Sequence, residues 1–372
     1  MVHVPGTRTI RRYLRRGIWW PIFDTVQKYR AANAVSSTDS IVESGQSHDE
    51  SAGKVSARKF ERVCLESSEW SGYFFSDNIV SNELGYLKCM AEVGEVKGEA
   101  YLGLGPEQNL SYICGAEPSI SFIVDVRRDN YRLHLLYKAI LEEARTPLQW
   151  LSLLLGRPIS AHVEPDRDIE MAELISLVEK SPPEQSFHRK AHSRLTERIA
   201  CMGVIKHPFD RRRLAKIHER FFREQLEITF QLRRASNKQY PSLRQLLCAR
   251  GNRDEDRCFL ANRERYERVR RCQLENRVVP IVGDFTGHRA VAAVAGELTN
   301  RKLRVGLIYV SNVEQYIFEE GRYARWISNL TRLPRTSNAR IIRSYVDQGR
   351  PHPRQCPGER ITTIVQSLER FL

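Results

Sequence analysis

The chain contains no run of eighteen or more apolar residues, so no stretch of it reads as a transmembrane helix. It has no GxxxxGK[ST] loop, which removes the P-loop nucleotide hydrolases from consideration. It has no NPPY or DPPY tetrad, so amide or adenine methylation of that type finds no footing. None of its eight cysteines forms a CxxC pair. They are scattered, several within apolar patterns, and read as reduced, mostly buried thiols of a cytoplasmic protein without a zinc site. Acid is under-represented: 59 Lys and Arg stand against 45 Asp and Glu, a formal charge of +14. That excess attracts polyanions without choosing among nucleic acid, anionic lipid and phosphorylated metabolites. Arginine also serves in ordinary surface ion pairs. With 372 residues, 41% of them hydrophobic, the chain can bury a substantial core in one large or two ordinary domains.

The stretch from Glu99 to Asn130 organises the rest. Ala100-Tyr101-Leu102 is a short apolar run that stops at Gly103-Leu104-Gly105, where the backbone can turn sharply and lie close to a ligand. Pro106 suits the start of a helix, and Leu110, Ile113 and Cys114 fall on one helical face. Ile120, Phe122 and Val124 form the next strand, which ends at Asp125. About twenty residues separate the glycine turn from that acid, the offset at which a carboxylate meets the ribose hydroxyls of a nucleotide. The third glycine of the common fingerprint is missing, and an ordinary tight turn between strand and helix carries the same two glycines.

The runs EAYLGLGPEQNLSYI, ISFIVDVRRDNYRLHLLYKAI, VVPIVGDFTG and YVSNVEQYIF resemble an uncharacterised bacterial family related to class I S-adenosylmethionine-dependent methyltransferases. The likeness covers roughly 79–157 and 271–346. It implies a Rossmann-like α/β fold: a mostly parallel sheet with helices on both faces, binding S-adenosylmethionine as cofactor. This chain departs from that family's glycine motif in lacking the third glycine, and in placing Glu99, rather than an acid next to the turn, ahead of it.

Read in order, residues 1–33 form a basic, aromatic segment with Trp19, Trp20, Ile22 and Phe23 after a cluster of arginines. It reads first as an N-terminal helix packed on the main domain, with a transit segment or a membrane-surface helix as the alternatives. Residues 34–56 are rich in Ser, Asp, Glu and Gly and read as a disordered linker. Asn78, Ser81, Asn82 and Glu83 form a polar cluster before the first strand, suited to capping a helix or to closing over a ligand. Residues 57–158 and 272–372 make up the Rossmann-like domain. His134, on an apolar helical face, reads as a core residue. Residues 159–271 interrupt the alternation as a helical, basic insertion: from Cys201 to Glu275 there are nineteen Lys and Arg against ten Asp and Glu. Val278–Asp284, Leu303–Val310 and Ala339–Val346 are expected strands, and the segment from Ile361 to Leu372 a final helix or strand.

Parallel strands bring their carboxyl ends to one edge, where ligands bind. The candidate cofactor-binding residues are therefore Gly103, Gly105, Glu107, Asp125 and Asp284. The resemblance further implies Asp284 near an adenine ring and Asn312 facing the methyl acceptor, with Glu314 or Tyr316 as base or clamp. The expected function is that of an S-adenosylmethionine-binding, methyltransferase-like protein with an unspecified acceptor. Two alternatives remain: a non-catalytic scaffold holding a polyanion on its basic insertion, and, more thinly, a nicotinamide-dependent oxidoreductase.

Overall fold

The computed structural model describes residues 54–159, 167–232, 239–347, 349, 351–355 and 359–372. The N-terminal segment and nearly all of the expected linker lie outside them. The chain is an α/β protein with six strands among the described residues: β1 Ala100–Gly103, β2 Ser121–Asp125, β3 Val278–Val282, β4 Val305–Tyr309, β5 Arg335–Val346 and β6 Ile361–Ser367. They lie in the order β3-β2-β1-β4-β5-β6. All neighbours are parallel except β5 and β6, which run antiparallel from Arg340↔Ser367 to Val346↔Ile361.

The composition of each strand accounts for its place. AYLG, SFIVD, VVPIV and VGLIY are buried at every position, as strands covered on both faces must be. Pro280 sits in the middle of β3 and cannot donate to a ladder. It is tolerated because β3 is the sheet's edge. The tail expected as helix or strand is both: β6 followed by a single turn, Leu368–Phe371.

Among the described residues the α-helices of five residues or more are α1 Ala57–Glu66, α2 Gln108–Ala116, α3 Arg128–Glu143, α4 Pro147–Leu155, α5 Met171–Glu179, α6 Gln185–Cys201, α7 Pro208–Glu224, α8 Leu243–Leu247, α9 Arg263–Leu274, α10 Ala290–Asn300, α11 Val313–Glu319 and α12 Tyr323–Thr331. Local chemistry sets their ends. Thr146 caps α4 through Gln149 N at 3.3 Å, Pro147 opens it, and Gly156 closes it at φ +69°. Ser242 and Gln245 form a reciprocal capping box on α8. Among the described residues no helix is long and apolar enough to cross a membrane.

The insertion, α5 to α9, does not stand apart from the sheet layer. Helices α6, α7 and α9 all pack on α3, which itself lies against β2 and β3. Because α3 is covered by sheet and insertion together, Leu133, Leu135, Leu136, Tyr137 and Ile140 are all buried. A cluster of ions fastens the contact. Asp210 of α7 accepts from Arg128 Nε at 2.9 Å and from Arg132 Nε at 2.9 Å, while Arg213 reaches back to Asp129.

One irregular segment decides the shape of the carboxyl edge. Residues 69–83 cross it from one side to the other. Glu69 N donates to Val282 O beside β3, and Gly72 N donates to Val126 O beside β2. Asn78 reaches Asp125, Ser81 reaches Glu107 after β1, and Glu83 reaches Ser311 and Ser344 at the ends of β4 and β5. The Glu69 carboxylate also accepts from the backbone of Arg289 at 2.7 Å and Ala290 at 2.9 Å, capping α10. We call this segment the strap.

Candidate functional site

Strand order reverses between β1 and β4, since β2 and β3 extend to one side of β1 and β4 to β6 to the other. A crevice at the carboxyl ends is the geometric consequence. A cavity of about 130 Å³ lies there, between the strand ends and the strap. Gly105, Asp125, Asp284, Asn312 and Tyr316 all line it, so four strand ends contribute to one space. The strap closes it with Tyr73, Phe74, Asn78, Ser81 and Asn82.

Asp125 is the most constrained of these groups. It is 6% exposed, at the end of β2. Its carboxylate accepts from Arg127 N at 2.9 Å, from Asn78 Nδ2 at 3.3 Å and from the Gly105 backbone. Burial raises its pKa, and the Arg127 side chain at 3.7 Å only partly offsets this. The glycine turn and the acid, twenty residues apart in sequence, are thus in direct contact. Gly105 has φ +80°, which an L side chain rarely adopts, yet a Cβ there would meet nothing nearer than Asn78 Nδ2 at 3.8 Å. Gly103 differs. It does not line the cavity, and a Cβ on it would run into Tyr101 Oη at 2.5 Å and the Asn109 side chain. Its role is to let β1 pass close to α2.

Asp284 lines the rim with its carboxylate engaged: Oδ1 accepts from Thr286 N at 2.8 Å and Oγ1 at 2.9 Å, and Oδ2 pairs with Arg322. Asn312 donates to Gln315 Oε1 at 3.1 Å and Tyr316 Oη at 3.3 Å. Burial raises the Tyr316 pKa, so the phenol keeps its proton.

Two of the expected residues point elsewhere. Glu314 is 6% exposed and tied to Arg343 of β5, and it does not line the cavity. Glu107 is buried behind the strap, where it accepts from Ser81 N at 3.1 Å. Desolvation pushes its pKa up to about 7. Ser81 lines the cavity, so Glu107 acts on the site through the strap.

Further residues complete the site beyond the candidates at the strand ends. Gln108, 3% exposed, donates its amide to Tyr309 Oη and leaves Oε1 without a partner among the described residues at the cavity wall. A buried acceptor in that state awaits a donor. Ser311 and Asn78, both lining residues, hold left-handed backbone at φ 49° and φ 50°. Strain of that kind concentrates at functional sites. Beneath them Glu83, 1% exposed, binds the Ser311 and Ser344 hydroxyls, and its pKa is raised by burial. In the capping role expected for this cluster, Glu83 precedes a 3-10 turn but its side chain makes no cap. His134 is buried, with Nε2 2.8 Å from Gly105 O. Burial lowers its pKa to about 4, so the ring is neutral and steadies the glycine turn from behind.

Comparison with protein families matches the chain to a domain of unknown function (DUF7790) over residues 78–161 and 169–372. The chain belongs to that family. Curated proteins of known function give no match.

Proposed function

We propose that this member of the DUF7790 family has a Rossmann-like, class I methyltransferase-type sheet and binds S-adenosylmethionine in the cavity between Gly105 and Asn312. The observation that carries the reading is the convergence of four strand ends and the strap on one cavity at the point where strand order reverses. A sheet edge needs no such gathering of polar groups in order to fold.

The donor set suits the ligand. The Asp125 carboxylate is placed to accept from ribose hydroxyls. The unpartnered Gln108 Oε1 suits an ammonium group. Val126, Phe285 and Ile317 supply apolar wall for an adenine ring. When bound, S-adenosylmethionine supplies a methyl group activated by a positive sulfonium. Asn312 and Tyr316 hold and orient what approaches it, with the Tyr316 hydroxyl a donor, not a base. Glu314, occupied by Arg343, does not serve as a base. No general base is required, because alignment and exclusion of water carry most of this chemistry.

Isothermal titration with S-adenosylmethionine and S-adenosylhomocysteine tests the reading. Binding of both is expected; the absence of heat with either, at protein concentrations well above micromolar, removes it. The polyanion-scaffold reading draws on Arg211 and Arg212, exposed on α7 with no carboxylate partner among the described residues. Against it, Arg213, Arg220, Arg244 and Arg268 of the insertion are all held in ion pairs. It predicts salt-dependent binding that weakens on neutralising Arg211 and Arg212.

A further inference from the structure

Beyond the cavity lies a second chamber of about 380 Å³. Asn82, Phe230, Asn312 and Tyr316 line both, so these four side chains form the partition between them. The second chamber is bounded by two pairs of rings. Phe75 meets Tyr316 edge-on at 5.4 Å, and Phe230 meets Tyr240 edge-on at 4.8 Å. Leu84, Pro241 and Ile361 fill the wall between them. Such a lining accepts a flat ring by stacking and edge contacts.

Its polar groups are selective. Gln315, 3% exposed, holds Asn312 with its Oε1, while its Nε2 is buried with no partner among the described residues. That nitrogen is a donor only, so what completes it must carry an acceptor. Charge narrows the class further. Glu359 is neutralised by Lys88 at 2.6 Å. Arg360, exposed at the rim, has no carboxylate partner among the described residues. The chamber therefore favours a neutral or anionic ring over a cationic one.

We propose that the second chamber binds the acceptor substrate, a planar aromatic molecule, neutral or anionic, whose ring edge carries a hydrogen-bond acceptor for Gln315 Nε2. Its role as methyl acceptor rests on the reading of the first cavity; its capacity to bind the ring does not. Transfer to such a ring forms one O–C or N–C bond and breaks the C–S bond with its electron pair left on sulfur. A neutral hydroxyl or N–H acceptor gives its proton to solvent, whereas an anionic oxygen becomes a neutral ether or ester and a ring nitrogen becomes a cation, neither releasing a proton.

The test uses the full chain with 4-hydroxybenzoate and nicotinamide as ring probes and benzylamine as the cationic comparator. Binding is followed by ligand-observed saturation-transfer NMR, with and without saturating S-adenosylhomocysteine. Both ring probes are expected to bind, and to remain bound when S-adenosylhomocysteine is present; benzylamine is expected to bind at least tenfold more weakly. Leu84→Trp, at a partly exposed wall position, fills the chamber. It should weaken the probes at least tenfold while leaving S-adenosylhomocysteine affinity within twofold. Gln315→Met removes both amide atoms at similar length, the Nε2 donor and the Oε1 that holds Asn312, and should weaken them roughly three- to tenfold. Should Leu84→Trp fail to fold by circular dichroism, Gln315→Met decides alone. The proposal is overturned if neither probe binds the wild type, if the variants bind them as well as the wild type, or if S-adenosylhomocysteine displaces them. Probes that bind through Leu84 and Gln315 while S-adenosylhomocysteine fails to bind would leave the chamber standing and remove the first reading. The opposite pattern would remove the chamber alone.

Discussion

Asn78 donates its side-chain amide to the Asp125 carboxylate at 3.3 Å, joining two positions 47 residues apart. The contact seats the strap on the end of β2 and leaves the carboxylate facing the cavity. Asp125→Ala should lower affinity for S-adenosylhomocysteine by about ten- to a hundredfold, the worth of hydrogen bonds to a charged group. Thermal unfolding should show little loss, since the carboxylate is disfavoured by its own burial. Asn78→Ala should weaken binding less, by loosening the strap. Titration calorimetry beside a melting curve separates the two effects.

Glu107 makes the protein's stability depend on pH in a direction that can be worked out. Its pKa rises from 4.5 to about 7 on folding because the carboxyl is desolvated. The folded state therefore holds this proton more tightly than the unfolded state does. The stabilisation is complete below about 4.5 and is lost as pH rises through 7. Glu107→Gln keeps the shape and removes the proton. Relative to the wild type, the variant should gain up to about 3 kcal/mol between pH 4.5 and 8, measured by urea unfolding across that range. An equal difference at both ends would refute the assignment. His134 and His218, lowered to about 4 and about 3, act oppositely in both proteins. Their stabilisation is present above their unfolded values and fades as pH falls, so they cancel from the comparison.

At the joint between insertion and sheet layer, Asp210 answers two arginines at once. Asp210→Ala leaves Arg132, 4% exposed, with Asp129 as its remaining acid and facing Arg128 across the vacated position. A loss of about 3 kcal/mol is expected, as for one member of a buried ion cluster. Adding Arg132→Met to the same chain should restore most of it. Chemical denaturation of the single and double variants checks both steps.

The two glycines of the turn should separate cleanly. Gly105→Ala meets open space but an unfavourable φ, and should cost about 1 kcal/mol. Gly103→Ala drives its methyl into the Tyr101 Oη and Asn109 side chains, and should cost more, about 2–3 kcal/mol, with no direct effect on the cavity. Equal melting temperatures for the two variants would contradict this division.

Much of the site's frame was legible because it is local. The strand, glycine turn, helix and acid from Ala100 to Asp125 carry their own signals, and the structure places Gly105 and Asp125 in contact. The separation of Glu314 from Asn312 and Tyr316 was also available in principle. Positions four apart share a helical face, whereas a position two along turns away from it, here toward Arg343. Other parts had no local signature. Gln108 looks like any polar residue at the start of a helix until Tyr309, 201 positions later, takes its amide. Phe230 enters the site from the insertion through long-range packing. The polar cluster before β1 suited capping as well as ligand closure, and only its path across the edge distinguishes them.

The place of the insertion has a consequence for how the protein is made. Strands β2 and β3 lie side by side with Ser121 opposite Val278, yet more than 150 residues of chain separate them. At roughly 5–20 residues per second, a ribosome finishes β2 about ten to thirty seconds before its partner emerges. Strand β1 waits longer still for β4. Throughout that interval two strands destined for full burial have open flanks on the nascent chain, and the helices that follow them are the first material able to shield them. The insertion, whatever it contributes to recognition, is in that respect a temporary cover for an unfinished sheet.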